Sequence, residues 1–178
     1  MNGFYTIPTC KGDRMLISNL LRWIHLLAGA SWLGEVVVVN VVLVPMLARL
    51  EPEKRGWFLS IIFPRIFRLA SVLSLTTVLA GAALNLSLSD WQVGVAVSGL
   101  TTSRWGWSIL IGGALGLGLT LFHFVAEHRL EPHVMGVDDD PDSETFARIV
   151  RRLKIIPRVG LGVLLLIVVL MMFAARGL

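Results

Sequence analysis

The chain has 178 residues, of which 55% are hydrophobic and 16% charged, and its mean hydropathy is +0.75. Soluble domains carry about a quarter charged residues, so this balance excludes an ordinary water-soluble enzyme and predicts one all-α integral membrane domain over residues 1–178. The net charge of +4 does not point to nucleic acid, because the basic residues flank apolar runs, where such charges set membrane orientation.

The single cysteine, Cys10, excludes an internal disulfide and any cysteine-rich metal or iron-sulfur site, which leaves His, Met, carboxylate or Lys as ligands. Residues 1–18 are a mixed tail without a motif. Lys11 and Arg14 before an apolar run resemble the opening of a signal peptide, but the run continues to Ala48, as an uncleaved span does.

Four spans follow, at about 19–47, 66–87, 105–126 and 159–175, and together they predict a four-helix bundle with interfacial amphipathic segments. Pro45 is expected to kink or end the first span. Pro52 suits the first turn of the next helix. The segment from Trp57 to Arg68 is amphipathic and leads into the second span, whose far end holds Ala80, Gly81, Ala82 and Ala83, small enough for close helix contact. Asp90 to Arg104 reads as a weakly polar connector edged by Trp91 and Trp105. The third span is rich in glycine, and Glu127 to Asp142 reads as a polar loop with an acidic run. Ser143 can cap an amphipathic helix carrying Arg148, Arg151, Arg152 and Lys154, suited to anionic lipid headgroups. The last span is short and relies on Arg158 and Arg176 snorkelling at its ends.

This topology places eleven basic residues on the side of the first and third connectors: Arg49, Lys54, Arg55, Arg65, Arg68, Arg129, Arg148, Arg151, Arg152, Lys154 and Arg158. The other side has five: Lys11, Arg14, Arg22, Arg104 and Arg176. Cytoplasmic loops carry the excess of Lys and Arg, so both termini are expected outside a bacterial inner membrane.

The first span has chemistry in it. With His25 as zero on a helical wheel, Trp32 lies at about −20°, Glu35 at about −80°, and Arg22 and Asn40 at about +60°. That polar face must look into protein or water, leaving the Leu- and Val-rich remainder for lipid. In the third span one stripe joins Gly112, Gly116, His123 and Glu127.

Two imidazoles among apolar helices suggest axial ligation of haem b, which bundles hold between facing helices, and glycines beside His123 would give a flat macrocycle room. The competing reading is that each histidine hydrogen-bonds a neighbouring helix and the glycines are packing contacts. His25 stands about 21 residues, roughly 32 Å, from the inner end of its span, whereas His123 is only about 6 Å from Glu127. The expectation is therefore two separate sites. Met171 and Met172 are candidate partners for His25, Met46 and His128 for His123; all four also suit packing or solvent. An ionised carboxylate costs several kcal/mol at mid-membrane, so Glu35 is a candidate for a proton or ion pathway, or a hydrogen-bonded structural acid. Arg65 and Arg68 fit interface anchoring or pairing with haem propionates. Glu127, His128, Glu131 and His133 read better as a solvated loop than as a metal site.

The run Leu21-Arg22-Trp23-Ile24-His25-Leu26-Leu27-Ala28-Gly29-Ala30-Ser31-Trp32-Leu33-Gly34 resembles the first-span motif of a group of small bacterial membrane proteins. The group comprises the copper-resistance D-like family, the membrane domain of cytochrome-type urate oxidases and, more distantly, HemJ-type protoporphyrinogen oxidases. The second-span entry Phe67-Arg68-Leu69-Ala70 leading to Gly81, and the third-span pair Phe122-His123, extend the resemblance to three of the four spans. It implies haem b binding, with a redox partner or complex subunits, or copper handling. The chain departs from the HemJ-type pattern in having Gly112 where that group places a lysine and Met46 after Pro45 where it places an arginine, so porphyrinogen oxidation is not implied. The expectations are thus a haem b protein of electron transfer, a copper-transport or resistance protein using His25, His123, Glu35, Met171 and Met172, or a cofactor-free scaffold.

Overall fold

The computed structural model describes residues 11–135 and 144–176, with side chains throughout except at 11, 52–53, 127, 129–135 and 144–154. The chain is α1 (Lys11–Val38), a π-helical turn (Val39–Leu43), α2 (Val44–Arg49), α3 (Pro52–Leu88), α4 (Val93–Thr102), α5 (Arg104–Met135) and α6 (Glu144–Arg176). Among the described residues there is no strand. Four helical stretches are long and apolar enough to cross a membrane: Gly12–Arg49, Lys54–Leu88, Arg104–Ala126 and Ile155–Arg176. Their outer faces leave large side chains such as Leu16, Val41, Leu79 and Val159 exposed, as a surface facing acyl chains requires.

Neighbours in the bundle follow chain order: α1 packs on α3, α3 on α5, α5 on α6, and α6 closes back on α1 and the π turn. The core has two centres. At mid-bundle Trp32, Val36 and Leu164 are buried among Leu33, Leu73, Leu119, Leu161 and Ile167, so all four spanning helices meet there. Toward the first hairpin, Leu47, Phe58, Leu59 and Phe63 pack with Leu43, Leu50, Ile62 and Phe67.

Pro45 does not end the first helix. It has no N–H to give to the preceding turn, and the backbone widens into the π turn just before it, Val44 N–H reaching Val39 O, after which the helix continues to Arg49. Asn40, inside that turn, donates both to Val36 O (2.8 Å) and across to Pro157 O of α6 (2.9 Å). Since interhelical hydrogen bonds in bilayers average about 0.6 kcal/mol, Asn40→Leu is expected to lower stability by about 0.5–1.5 kcal/mol, read as an earlier melting midpoint in detergent.

Pro52 occupies the start of α3, where its fixed φ suits the first turn, and Arg55 Nε donates to Leu50 O (2.9 Å) across the tight corner. The amphipathic stretch from Trp57 runs straight through Pro64 into the second span as one 37-residue helix.

Three connectors differ from the sequence expectation. Residues 93–102 of the second connector are helical, forming α4, introduced by a turn in which Asp90 and Trp91 take left-handed φ values of 52° and 61°. Trp91 N–H bonds back to Leu86 O (2.8 Å), closing the end of α3 and offsetting that conformation. Gly106 then lets α5 meet α4, because a Cβ there would come within 2.7 Å of Leu100 Cα. The polar stretch after Ala126 continues as helix to Met135 rather than beginning a loop; its acidic run lies outside the described residues. The amphipathic segment 144–154 is likewise continuous with the last span through Pro157.

Candidate functional site

The α1–α3 seam is joined by polar groups from one end of the bundle to its middle. At the end Arg14 Nη1 meets Asp90 Oδ1 (2.6 Å), which puts the start of α1 and the second connector at the same end. One turn further in, the hydroxyls of Ser18 and Ser87 bond (2.7 Å). Then comes His25, whose Nδ1 lies 2.8 Å from Thr77 O.

Because a carbonyl oxygen can only accept, His25 Nδ1 carries the proton and donates it to Thr77 O. In the neutral ring this leaves Nε2 as the lone-pair nitrogen. The approach depends on Gly81, where a Cβ would stand 2.9 Å from both Cε1 and Nδ1 of the ring. The small-residue end of the second span is thus used for seating an imidazole against backbone. The ring edge toward Gly81 carries Nδ1 and Cε1, and the residue is half-buried.

Seven residues deeper along α1, about 10 Å, lies the second cluster. Trp32 is 2% exposed, and its ring meets the His123 ring edge-on with centroids 5.9 Å apart. Glu35 and His123 line one cavity of about 50 Å³ with Val36, Val39, Phe63, Phe67, Leu119, Phe122, Pro157 and neighbouring apolar groups. Trp32 Nε1 and Glu35 Oε2 are buried without a hydrogen-bond partner among the described residues, and both His123 ring nitrogens are buried.

His123 stands three residues from Ala126, where the apolar stretch of α5 ends, as the sequence reading has it, although the helix itself continues to Met135. That His123 and Glu35 line one cavity is a pairing the sequence did not show. The wheel did place Glu35 and Trp32 on the buried side with His25, but a single helix carries no signal for which partner helix its polar groups meet.

The two histidines are at different depths, but by less than the depth argument expects: His25 is held at Thr77, whereas the His123 cavity is lined by Ala70, seven residues or about 10 Å along α3. Met171 lies seven residues beyond Leu164 on α6, the same interval that separates His25 from Trp32, so it reaches the depth of His25. Its methyl is turned into α5, where a Cβ on Gly112 would meet it at 2.6 Å. Met172, Met46 and His128 are exposed. Arg65 and Arg68 are exposed on α3, twelve and nine residues from Thr77, or roughly 18 and 14 Å along the axis, on the side away from the Arg14 end. Of the acidic and histidine cluster after Ala126, the side chains of Glu127, Glu131 and His133 lie outside the described residues.

The glycine stripe of α5 is filled from its neighbours. Met171 occupies the notch at Gly112, and Val78 Cγ2 would lie 3.7 Å from a Cβ at Gly116. Pockets for organic ligands run to about 300–1,000 Å³, so a cavity of about 50 Å³ beside His123 does not fit a porphyrin. At His25 the donor chemistry does fit, since an imidazole whose Nδ1–H is held by a backbone carbonyl is the usual state of a metal-ligating histidine. Among the described residues no group of three or more His, Cys, Asp or Glu side chains is assembled as a metal site. Set against known proteins, the chain matches no family model, no curated protein and no solved structure.

Proposed function

We propose that the protein is a bacterial inner-membrane electron carrier that holds haem b through His25 and works with a redox partner or as a subunit of a respiratory assembly. The observation that carries this reading is the Nδ1–H bond of His25 to Thr77 O, which fixes ring orientation and directs the Nε2 lone pair away from α3. The first-span motif around His25 and Trp32, similar to that of haem- and copper-handling membrane proteins, supports the same residue. Haem b bound there supplies one-electron redox chemistry, its potential set by axial ligand and burial. The chain's own part is to hold the imidazole: Gly81 admits the ring, Thr77 accepts its proton, and the α1–α3 seam keeps both helices in register. The excess of eleven basic residues on one side over five on the other supports an orientation with both termini outside the cytoplasm.

The test is a reduced-minus-oxidised visible spectrum of the purified protein. A b-type band is expected in the wild type and in His123→Ala, absent in His25→Gly and restored to the latter by added imidazole. A colourless wild type, or a band that survives loss of His25, would reject the reading; His25-dependent Cu(I) uptake by a colourless protein would assign the imidazole to copper handling instead.

A further inference from the structure

A haem brings two carboxylates as well as an iron, and beside His25 stands a cation with nothing to neutralise it. Arg22 lies three residues before His25, about 4.5 Å toward the Arg14 end, and makes no ion pair or hydrogen bond among the described residues. A second polar group without a partner stands near it. The contacts of Ser18 with Ser87 and of His25 with Thr77 and Gly81 fix the antiparallel register of α1 and α3, which puts Asn85 within one turn of the level of Arg22. The Asn85 side chain is half-buried and has no hydrogen bond among the described residues.

Both groups lie on the same side of the α1–α3 seam. Arg22 is eighteen residues, or about five turns, from Asn40, which bonds to α6, and Asn85 is seven residues, or about two turns, from Val78, which faces Gly116 of α5. Since α5 and α6 pack on each other, this is the side that faces the rest of the bundle. It is open at this level: Arg22, Leu26 on the next turn, and Val168 of α6, seven residues beyond Leu161 of the mid-bundle cluster, are all exposed. Helical side chains lean toward the N-terminus, so on these antiparallel helices Arg22 leans to the Arg14 end and Asn85 leans back toward His25, bringing the two toward one level. No other described cation is placed as well. Arg104 and Arg176 stand about 12 and 8 Å farther out than Gly112 and Met171, which share the depth of His25, and Arg65 and Arg68 lie on the opposite side of Thr77.

From these observations we infer that Arg22 and Asn85 form the carboxylate-binding end of the His25 site, an inference that rests on His25 being the haem ligand. The guanidinium offers a fork of two N–H donors to one propionate carboxylate, and the Asn85 amide offers a further N–H. The pairing neutralises a charge that is otherwise costly beside the apolar run of the first span.

Titration of the full-length apoprotein in dodecyl maltoside micelles, followed by the visible spectrum, tests this with haem b and with its dimethyl ester, whose propionates carry no charge. Arg22→Gln is expected to weaken haem b binding about 10–100-fold, the range for hydrogen bonds to a charged group, and Asn85→Leu by less, while neither substitution changes the affinity for the ester. Circular dichroism of the apoproteins should show unchanged melting, and Arg22→Lys should recover part of the haem b affinity. Equal losses for both porphyrins, or no loss for either, would overturn the inference and leave the His25 reading standing; an Arg22-dependent rise in melting midpoint on adding phosphatidylglycerol would then assign the guanidinium to lipid phosphate. A wild type that takes up neither porphyrin would overturn the His25 reading and this inference with it.

Discussion

Trp32→Ala is expected to destabilise the protein by about 3–5 kcal/mol, the range for truncating a fully buried aromatic side chain. The reason is position. Trp32 is 2% exposed at the only described level where residues of α1, α3, α5 and α6 pack in one cluster, and it also supports the His123 ring. Lipid is as apolar as leucine, so helices in a bilayer gain little from hiding apolar surface and depend on close packing instead. A void at that junction removes contacts from four helices together. Trp23, on the same helix but 62% exposed, provides the control: Trp23→Ala should stay within about 0.5 kcal/mol of wild type. Denaturation in mixed detergent micelles, followed by circular dichroism, measures both, and equal losses would show that the four-helix junction does not hold the bundle.

Gly81→Leu is expected to act at a different level and to reach the ligand. With a Cβ 2.9 Å from Nδ1 and Cε1, the imidazole must leave its seat, which breaks the bond to Thr77 O and forces α1 and α3 apart. Overpacking of this kind costs about 1–3 kcal/mol, and the spectral band assigned to His25 should disappear with the seat. Gly113→Leu is the matched comparison, because nothing lies within 4 Å of a Cβ at Gly113. The same side chain placed there should leave the band intact and keep or slightly raise stability, since glycine is a poor helix former. Parallel losses in both variants would mean that any large residue in these helices is harmful and that Gly81 has no special relation to His25.

Hydrophobic periodicity and proline chemistry made much of this fold legible. The spans, the polar face of the first helix and the role of Pro52 all follow from local rules that a bilayer enforces strictly, since every backbone group must be satisfied within its own helix. Length and charge were poorer guides to where helices stop. The stretch after Ala126 is polar enough to read as loop, yet helix propagation continues through it to Met135, because polar residues forbid burial in lipid but do not forbid helix. The π turn before Pro45 was equally hidden: proline announces a lost hydrogen bond, not whether the chain breaks, bends or widens to absorb it.

The candidate site was legible in its members but not in its pairings. Facing angles on one helix placed His25, Trp32 and Glu35 inward. Only the register between helices, set by contacts such as Ser18 with Ser87 and Gly29 with Thr77, decides that His25 meets a carbonyl and Glu35 shares a cavity with His123. The glycines of α5 show the same limit. A stripe of missing side chains reads equally as room for a cofactor or room for a neighbour, and here Met171 and Val78 take it up.

The state of His25 in a bilayer tests the account most directly. Solid-state NMR of the protein labelled with ¹⁵N-histidine, in lipid vesicles, is predicted to show the His25 proton on Nδ1, hydrogen-bonded to the Thr77 carbonyl, with the lone pair on Nε2. A neutral His25 ring protonated at Nε2 and bare at Nδ1 would contradict it, because that ring could neither donate to Thr77 nor present Nε2 to a metal.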